Sequence, residues 1–173
     1  MYYNNPSYRK DKVNGFEDGY KFKEISSIKL TLETNVGGWE TQEPSKENRV
    51  LIVKQGVGTV KVQGKSHVLD EDVLLEVPQG VLVEMGYSQL KYYSLKSTNG
   101  ESISVTIEKN EGKWKPFTFS SKDRVLIVKK GVGFVKINHK TYRIDEEDVI
   151  EIPANASIDV SGPFEYFCAT AGN

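Results

Sequence analysis

The sequence predicts an all-β chain made of two tandem antiparallel β-barrels related by internal duplication, and three observations carry that expectation. The stretch RVLIVKQGVGTVKVQGKSHVLDEDVLLEVP (49–78) matches RVLIVKKGVGFVKINHKTYRIDEEDVIEIP (124–153) without a gap, at a constant offset of 75, with 16 of 30 positions identical. Apolar and polar residues alternate within each copy, the pattern of a strand with one buried face. No apolar segment with helical period runs beyond about ten residues, so little helix is expected.

Each element follows in order. Residues 1–25 lie outside the repeat and are polar, with Tyr2, Tyr3, Tyr8, Phe16 and Tyr20 scattered among them. They read as an arm, an extra strand or an unstructured segment. The first barrel is expected over 26–99 and the second over 100–173. The offset of 75 pairs Ile28 with Ile103, Glu33 with Glu108, Gly37 with Gly112, Trp39 with Trp114 and Ser45 with Ser120, and downstream it pairs Tyr92 with Phe167. Val50 to Val53 is rich in β-branched residues and is closed by Gly56-Val57-Gly58 as a turn. Val60 and Val62 alternate with Thr59, Lys61 and Gln63. Leu74, Leu75 and Val77 form a short strand stopped by Pro78, with Gln79-Gly80 as the next turn. Val81, Val83 and Met85 make another strand, and Tyr92, Tyr93 and Leu95 a further one. The second copy repeats this at Val125 to Val128, Val135 and Ile137, Val149 to Ile152, and Tyr166 to Cys168. Evenly spaced short strands joined by Gly, Pro and Asn turns indicate a barrel or sandwich. A barrel of about 75 residues is marginal alone, so the two copies are expected to share buried surface and unfold together.

Composition excludes several classes. Hydrophobic residues are 38% and charged residues 27% of the chain, and 23 Lys and Arg against 24 Asp and Glu leave a formal charge of −1. A balanced charge argues against nucleic acid as a partner. No run approaches the roughly 18 apolar residues that span a bilayer, so no membrane partner is expected. MYYNNPSYRKDK lacks the apolar core of a secretory signal. The single cysteine, Cys168, rules out an intramolecular disulfide and fits a reducing, cytoplasmic setting. It reads as a small buried hydrophobe in the last strand rather than a reactive thiol.

The pattern G-x-G-x-V-x-V, an acidic turn, an apolar strand and then Pro resembles the cupin superfamily. Two copies resemble a bicupin, over about 145 residues. The resemblance implies a double-stranded β-helix or jelly-roll barrel. Cupin metalloenzymes bind their ion through G-x5-H-x-H-x3–4-E-x6-G and G-x5-P-x-G-x2-H-x3-N. Anchored on Gly56 and Gly131, the first motif puts its Glu at Arg49 and Arg124. Its histidines fall among Gln42, Glu43, Pro44 and Ser45, and among Phe117, Thr118, Phe119 and Ser120. The second motif puts its histidine at Val83 and Ile158. Every ligand position is substituted in both copies, so no metal and no other cofactor is expected. His67 aligns with Tyr142 and His139 with Gly64, so the two histidines do not form a duplicated site; His139 reads as an exposed residue of the Asn138-His139-Lys140 turn.

Arg49 and Arg124 thus stand where the family places an inward carboxylate. Three readings are open: each Arg pairs with Glu76 or Glu151 as a remnant, each clamps an anionic ligand, or each faces solvent at a rim. Trp39 and Trp114 read as plugs closing a barrel end, or as a stacking wall at its mouth. Lys54/Lys129, Lys61/Lys136 and Lys65/Lys140 read as solvated strand faces. Asp70-Glu71 and Asp145-Glu146 belong to turn chemistry. No phosphate loop and no nucleophile triad is discernible.

The leading function is a metal-free bicupin, non-catalytic, that binds a small-molecule ligand or a protein partner, with a homodimer as one arrangement. The ligand-facing set is Arg49, Arg124, Glu76, Glu151, Trp39 and Trp114. The alternative is a metal-independent sugar isomerase or epimerase using His67 with Asp70 and Tyr87, Tyr92 or Tyr93. A cupin metalloenzyme with unusual ligands ranks lower.

Overall fold

The structure is a computed structural model and describes residues 7–9, 11–12, 15–16, 25, 27–71, 73–118, 120–137, 139–146 and 148–172. Tyr2, Tyr3, Tyr20, Phe119 and Asn138 lie outside the described residues. In chain order the strands are β1 (Ser7–Arg9), β2 (Asp11–Lys12), β3 (Gly15–Phe16), β4 (Ile28–Gly37), β5 (Glu40–Gln42), β6 (Arg49–Val62), β7 (Lys65–Leu69), β8 (Leu74–Val77), β9 (Val83–Ser97), β10 (Ile103–Asn110), β11 (Lys115–Pro116), β12 (Arg124–Gly131), β13 (Gly133–Ile137), β14 (Lys140–Ile144), β15 (Val149–Ile152), β16 (Asp159–Ser161) and β17 (Phe164–Ala171). No helix occurs among the described residues, as the missing 3.6-residue period predicts. The chain divides into two compact units, one formed by Lys29–Ile103 and the other by the described residues before and after it.

In the unit Lys29–Ile103 the sheet order is β4-β9-β6-β7, with β5 on β9 and β8 on β6. Strands β6 and β9 run antiparallel from Arg49↔Lys96 to Val62↔Val83, with register shifts between Val53 and Gln55 and between Val57 and Thr59. Bulges bend a strand and sharpen its twist. The first half of β6 therefore pairs with β8 and its second half with β7, so one strand pair serves two walls. Gly56-Val57-Gly58 is a bend inside a continuous strand, not the expected turn. Gly56 has φ +95, and a Cβ there would stand 1.7 Å from the Gln89 carbonyl oxygen. The two separate strands expected at Val81–Met85 and Tyr92–Leu95 are likewise one strand, β9. A bulge leaves no mark in a local alternation pattern, which explains both differences. The core holds Leu51, Val53, Val60, Leu69, Val83, Met85 and Tyr92.

The other unit has two sheets, β1-β15-β12-β17-β10 and β11-β16-β13-β14. Val132 separates β12 from β13, and Gly162-Pro163 separate β16 from β17. Pro163 has no N–H to give the ladder. Its core holds Leu126, Val128, Val135, Ile144, Ile150, Ile152, Val160, Phe164 and Tyr166. Backbone residues Ser7–Arg9 add to the sheet edge at β15, with Ser7 opposite Glu151.

The registers correct one expected pairing. In the first unit Thr59 faces Gly86 and Gly56 faces Leu90. In the second Phe134 faces Ser161 and Gly131 faces Phe164. Three residues lie between Gly86 and Leu90, but two between Ser161 and Phe164. The offset therefore drops from 75 to 74, and Tyr92 corresponds to Tyr166 rather than to Phe167. Val53↔Tyr92 and Val128↔Tyr166 are the matching pairs. Because a one-residue slip exchanges the two faces of a strand, the missing residue has to fall in the connector for both tyrosines to stay in their cores.

Candidate functional site

Strand alternation puts Arg49 on the face of Leu51 and Val53, and Arg124 on the face of Leu126 and Val128. Both arginines are buried, each 6% exposed, so neither points to solvent. A guanidinium removed from water is costly unless its N–H groups find acceptors.

In the first unit Arg49 Nη1 donates to Gln42 Oε1 at 3.2 Å, while Nε and Nη2 are buried with no hydrogen-bond partner. Gln42 Nε2 in turn donates to the Tyr92 hydroxyl at 2.9 Å. Cross-strand register places Lys96 opposite Arg49, Ser94 opposite Leu51 and Tyr92 opposite Val53, all on one face. Ser94 is fully buried and its Oγ also lacks a partner. Like charges directly opposite each other, as Arg49 and Lys96 are, oppose strand pairing. Burial, then the field of Glu33, pushes the Tyr92 hydroxyl up to about 12, so it stays protonated at neutral pH.

The second unit answers the same problem differently. Phe117 occupies the position of Gln42, and the Arg124 guanidinium lies over its ring, 4.8 Å from the centroid. Arg124 Nη1 donates to the Thr118 carbonyl, and Nε has no partner. Burial lowers the Arg124 pKa. Phe117 also packs against Tyr166, with centroids 5.8 Å apart, and Tyr166 Oη donates to Glu108 Oε1 at 3.4 Å. Burial first, then Glu108, raises the Tyr166 pKa. Cys168 corresponds to Ser94. Burial pushes its thiol up to about 11, which keeps it a thiol at neutral pH and fits its reading as an inert core residue.

A Glu–Tyr–Arg set is therefore repeated: Glu33, Tyr92 and Arg49, then Glu108, Tyr166 and Arg124. Sequence reading found the glutamates and arginines but missed the tyrosine pair, because an ungapped offset matched Tyr92 to the wrong residue. Requiring inward alternation in the last strand would have revealed it.

The other residues expected at the site stand elsewhere. Glu76 is exposed and lies opposite Val50, while Arg49 lies opposite Val77, so the two side chains leave opposite faces of the sheet. Glu151 is buried, but it lies opposite Val125, while Arg124 lies opposite Ile152. Neither acid is brought to its arginine. Trp39 is 40% exposed and stacks on the outer face of its sheet, where a Cβ on Gly86 would stand 2.4 Å from the indole. The Lys61 ammonium sits 4.8 Å from its ring centroid. Trp114 is matched by Lys136 at 4.6 Å. Lys61 and Lys136 alternate with the inward Val60 and Val135, so these tryptophans pack outside the barrels instead of plugging an end. His67 and His139 are exposed, and His139 has φ 68, as a tight turn requires. An open cleft of about 180 Å³ lies near Asn110, Gly131 and Phe164, beside Glu165, which is already held by Lys129 at 3.0 Å.

The interior donors do not fit a divalent metal. Arg49 and Val83 stand where the resemblance places metal ligands, Gln42 is among the positions where it places histidines, and a buried guanidinium repels a second cation. Among the described residues no three His, Cys, Asp or Glu side chains converge as such a site needs. Nor does any helix among them have the length and apolarity to cross a membrane.

No protein-family model and no curated protein matches the sequence. Solved structures do match its fold. The cupin 2 conserved barrel domain protein from Leptotrichia buccalis superposes with a TM-score of 0.68 at 14% identity, over 87% of this chain and 86% of that one. HutD from Pseudomonas fluorescens SBW25 matches with a TM-score of 0.61 at 14% identity, over 95% of this chain and 94% of that one. Salicylate 1,2-dioxygenase from Pseudaminobacter salicylatoxidans matches with a TM-score of 0.70 at 10% identity, over 84% of this chain and 71% of that one. At such identities the likeness establishes the cupin-type fold and carries no activity with it.

Proposed function

We propose that this chain is a metal-free bicupin that binds a small molecule within its barrel fold and does not convert it. One observation carries the reading: Arg49 is buried on the inward face of its barrel with two N–H groups that have no acceptor. Such groups destabilise a protein unless something else satisfies them. Acid–base isomerisation has less support, because it needs an inward imidazole beside a carboxylate and His67 is exposed.

Thermal melts with small carboxylates, sugar phosphates and neutral sugars, run beside elemental analysis, test this. At least one class should raise the melting temperature with rising concentration, as mass action requires, and a chelator should leave the melt unchanged. About one transition metal per chain, lost together with stability on chelation, would overturn the reading. So would a panel in which nothing shifts the melt.

A further inference from the structure

The two barrels share the glutamate and tyrosine near the inward arginine but differ at three other positions around it, and the three differences have the same sense. Around Arg49 stand Gln42, Ser94 and Lys96, where Arg124 has Phe117, Cys168 and Thr170. The first barrel has an amide, a hydroxyl with no partner and a second cation. The second has an aromatic ring stacked on the guanidinium, a half-buried thiol and a neutral hydroxyl residue. Beside its arginine the first barrel is polar, and the second is closed by apolar contact.

Resting on the ligand-binding reading, we propose that the first barrel alone is a carboxylate site, with the Gln42 side-chain amide holding the place of the ligand's carboxylate. A primary amide and a carboxylate are both planar and close in size. The Gln42 amide accepts one N–H from Arg49 at 3.2 Å and donates to Tyr92 at 2.9 Å. It is neutral and leaves the Nε and Nη2 hydrogens of Arg49 unsatisfied. Those two donors lie side by side on one edge of the guanidinium, the edge that a carboxylate meets with two parallel bonds. A carboxylate in place of the amide supplies a full negative charge and a second acceptor. Tyr92, freed from the Gln42 N–H, donates its own proton to the incoming oxygen. Lys96, opposite Arg49 in the register and also acting on Glu47, adds positive field at that end of the strand pair, and Ser94 Oγ offers a further donor on the same face. Gln42 is half-buried on the short strand β5, so its side chain can swing aside as the ligand enters. Phe117 has no such exchange available, because leaving Arg124 and Tyr166 would expose an aromatic ring and uncover the cation. A tetrahedral phosphate matches the planar amide less well. Glu33 and Glu40 are the nearby carboxylates whose fields act on Tyr92, and neither bonds the unpartnered Nε and Nη2 of Arg49.

Calorimetric titration of the full chain with sodium acetate and sodium benzoate, against sodium chloride and sodium phosphate at equal ionic strength, tests the assignment. Both carboxylates should bind more tightly than chloride or phosphate. Arg49→Met should weaken them at least tenfold, and Arg49→Lys, which keeps the charge without the fork, should also weaken them. Gln42→Ala removes the competitor and should tighten binding, a result that a mere ligand contact would not give. Gln42→Phe should close the first barrel, and Arg124→Met should leave affinity unchanged. Circular dichroism and the melting temperature establish that each variant is folded before titration. Carboxylate binding that survives Arg49→Met, that follows Arg124, or that weakens in Gln42→Ala overturns the assignment. Those outcomes leave a ligand-binding barrel in place, as would stabilisation by neutral sugars alone. A protein that no compound of the wider panel stabilises loses both readings.

Discussion

Replacing Arg49 by methionine in the ligand-free protein removes a buried cation that makes one bond and leaves two N–H groups without acceptors. Each unsatisfied group costs about 1–3 kcal/mol, and more when it belongs to a charged side chain, while the one charge-assisted bond returns about 1.5–3 kcal/mol. Methionine is similar in length and adapts to irregular cores. Gln42 Oε1 loses its donor, which offsets about 1 kcal/mol. The net expectation for Arg49→Met is a gain of about 1–2 kcal/mol, within the range seen when buried charges give way to apolar residues. Glu76→Leu changes an exposed residue on the opposite face and should stay within about 0.5 kcal/mol. The double variant should be additive within about 0.5 kcal/mol. Pairing between Arg49 and Glu76 predicts the reverse: a loss of about 3–5 kcal/mol on breaking the pair and recovery in the double variant. Urea unfolding at pH 7 in chloride buffer, free of carboxylates, separates the two. A loss above about 1 kcal/mol in Arg49→Met, or a coupling of that size with Glu76, refutes the reasoning. A stabilising outcome means that the arginine is kept at a cost to the free protein, as residues awaiting a ligand are.

Two further predictions follow from the backbone and from the buried tyrosine. Gly56→Ala drives a Cβ to 1.7 Å from the Gln89 carbonyl oxygen at φ +95, whereas Gly64→Ala, at φ +77, meets nothing within 4 Å. The first should cost at least about 4 kcal/mol or prevent folding, and the second only about 1–2 kcal/mol of backbone strain, as read from urea midpoints. Tyr92 titrates at about 12 when folded against 10 when unfolded, and a raised folded pKa gives stability that is complete below pH 10 and lost as pH rises through 12. At pH 11 its share of the loss is about 1.4 kcal/mol. Tyr92→Phe should therefore lose less stability between pH 9 and pH 11 than the parent chain, and equal losses in the two would refute the assignment.

Duplication and alternation in the sequence were enough to establish an all-β chain, because side-chain period 2 and Gly/Pro punctuation follow from the backbone itself. Duplication also marked Arg49 and Arg124, and strand parity put them on the face of Leu51 and Leu126. What surrounds each arginine was decided only in the folded chain. Gln42 meets Arg49 across seven residues and Tyr92 across fifty, through bulges in β6 that no local pattern reveals. Glu76 lost its expected partner because it stands one register position away from the face of Arg49, and a step of one residue exchanges inside for outside. Trp39 was placed by the bare backbone of Gly86 and by Lys61, and Trp114 by Lys136. Tyr166 was hidden by a single residue missing from the connector at Gly162-Pro163. The sequence alone thus determined the scaffold and singled out the charge repeated at Arg49 and Arg124, but left open whether that charge faces the core or solvent. Only tertiary structure decided the partners of that charge, because partners are set by cross-strand register, and register depends on bulges and connector lengths.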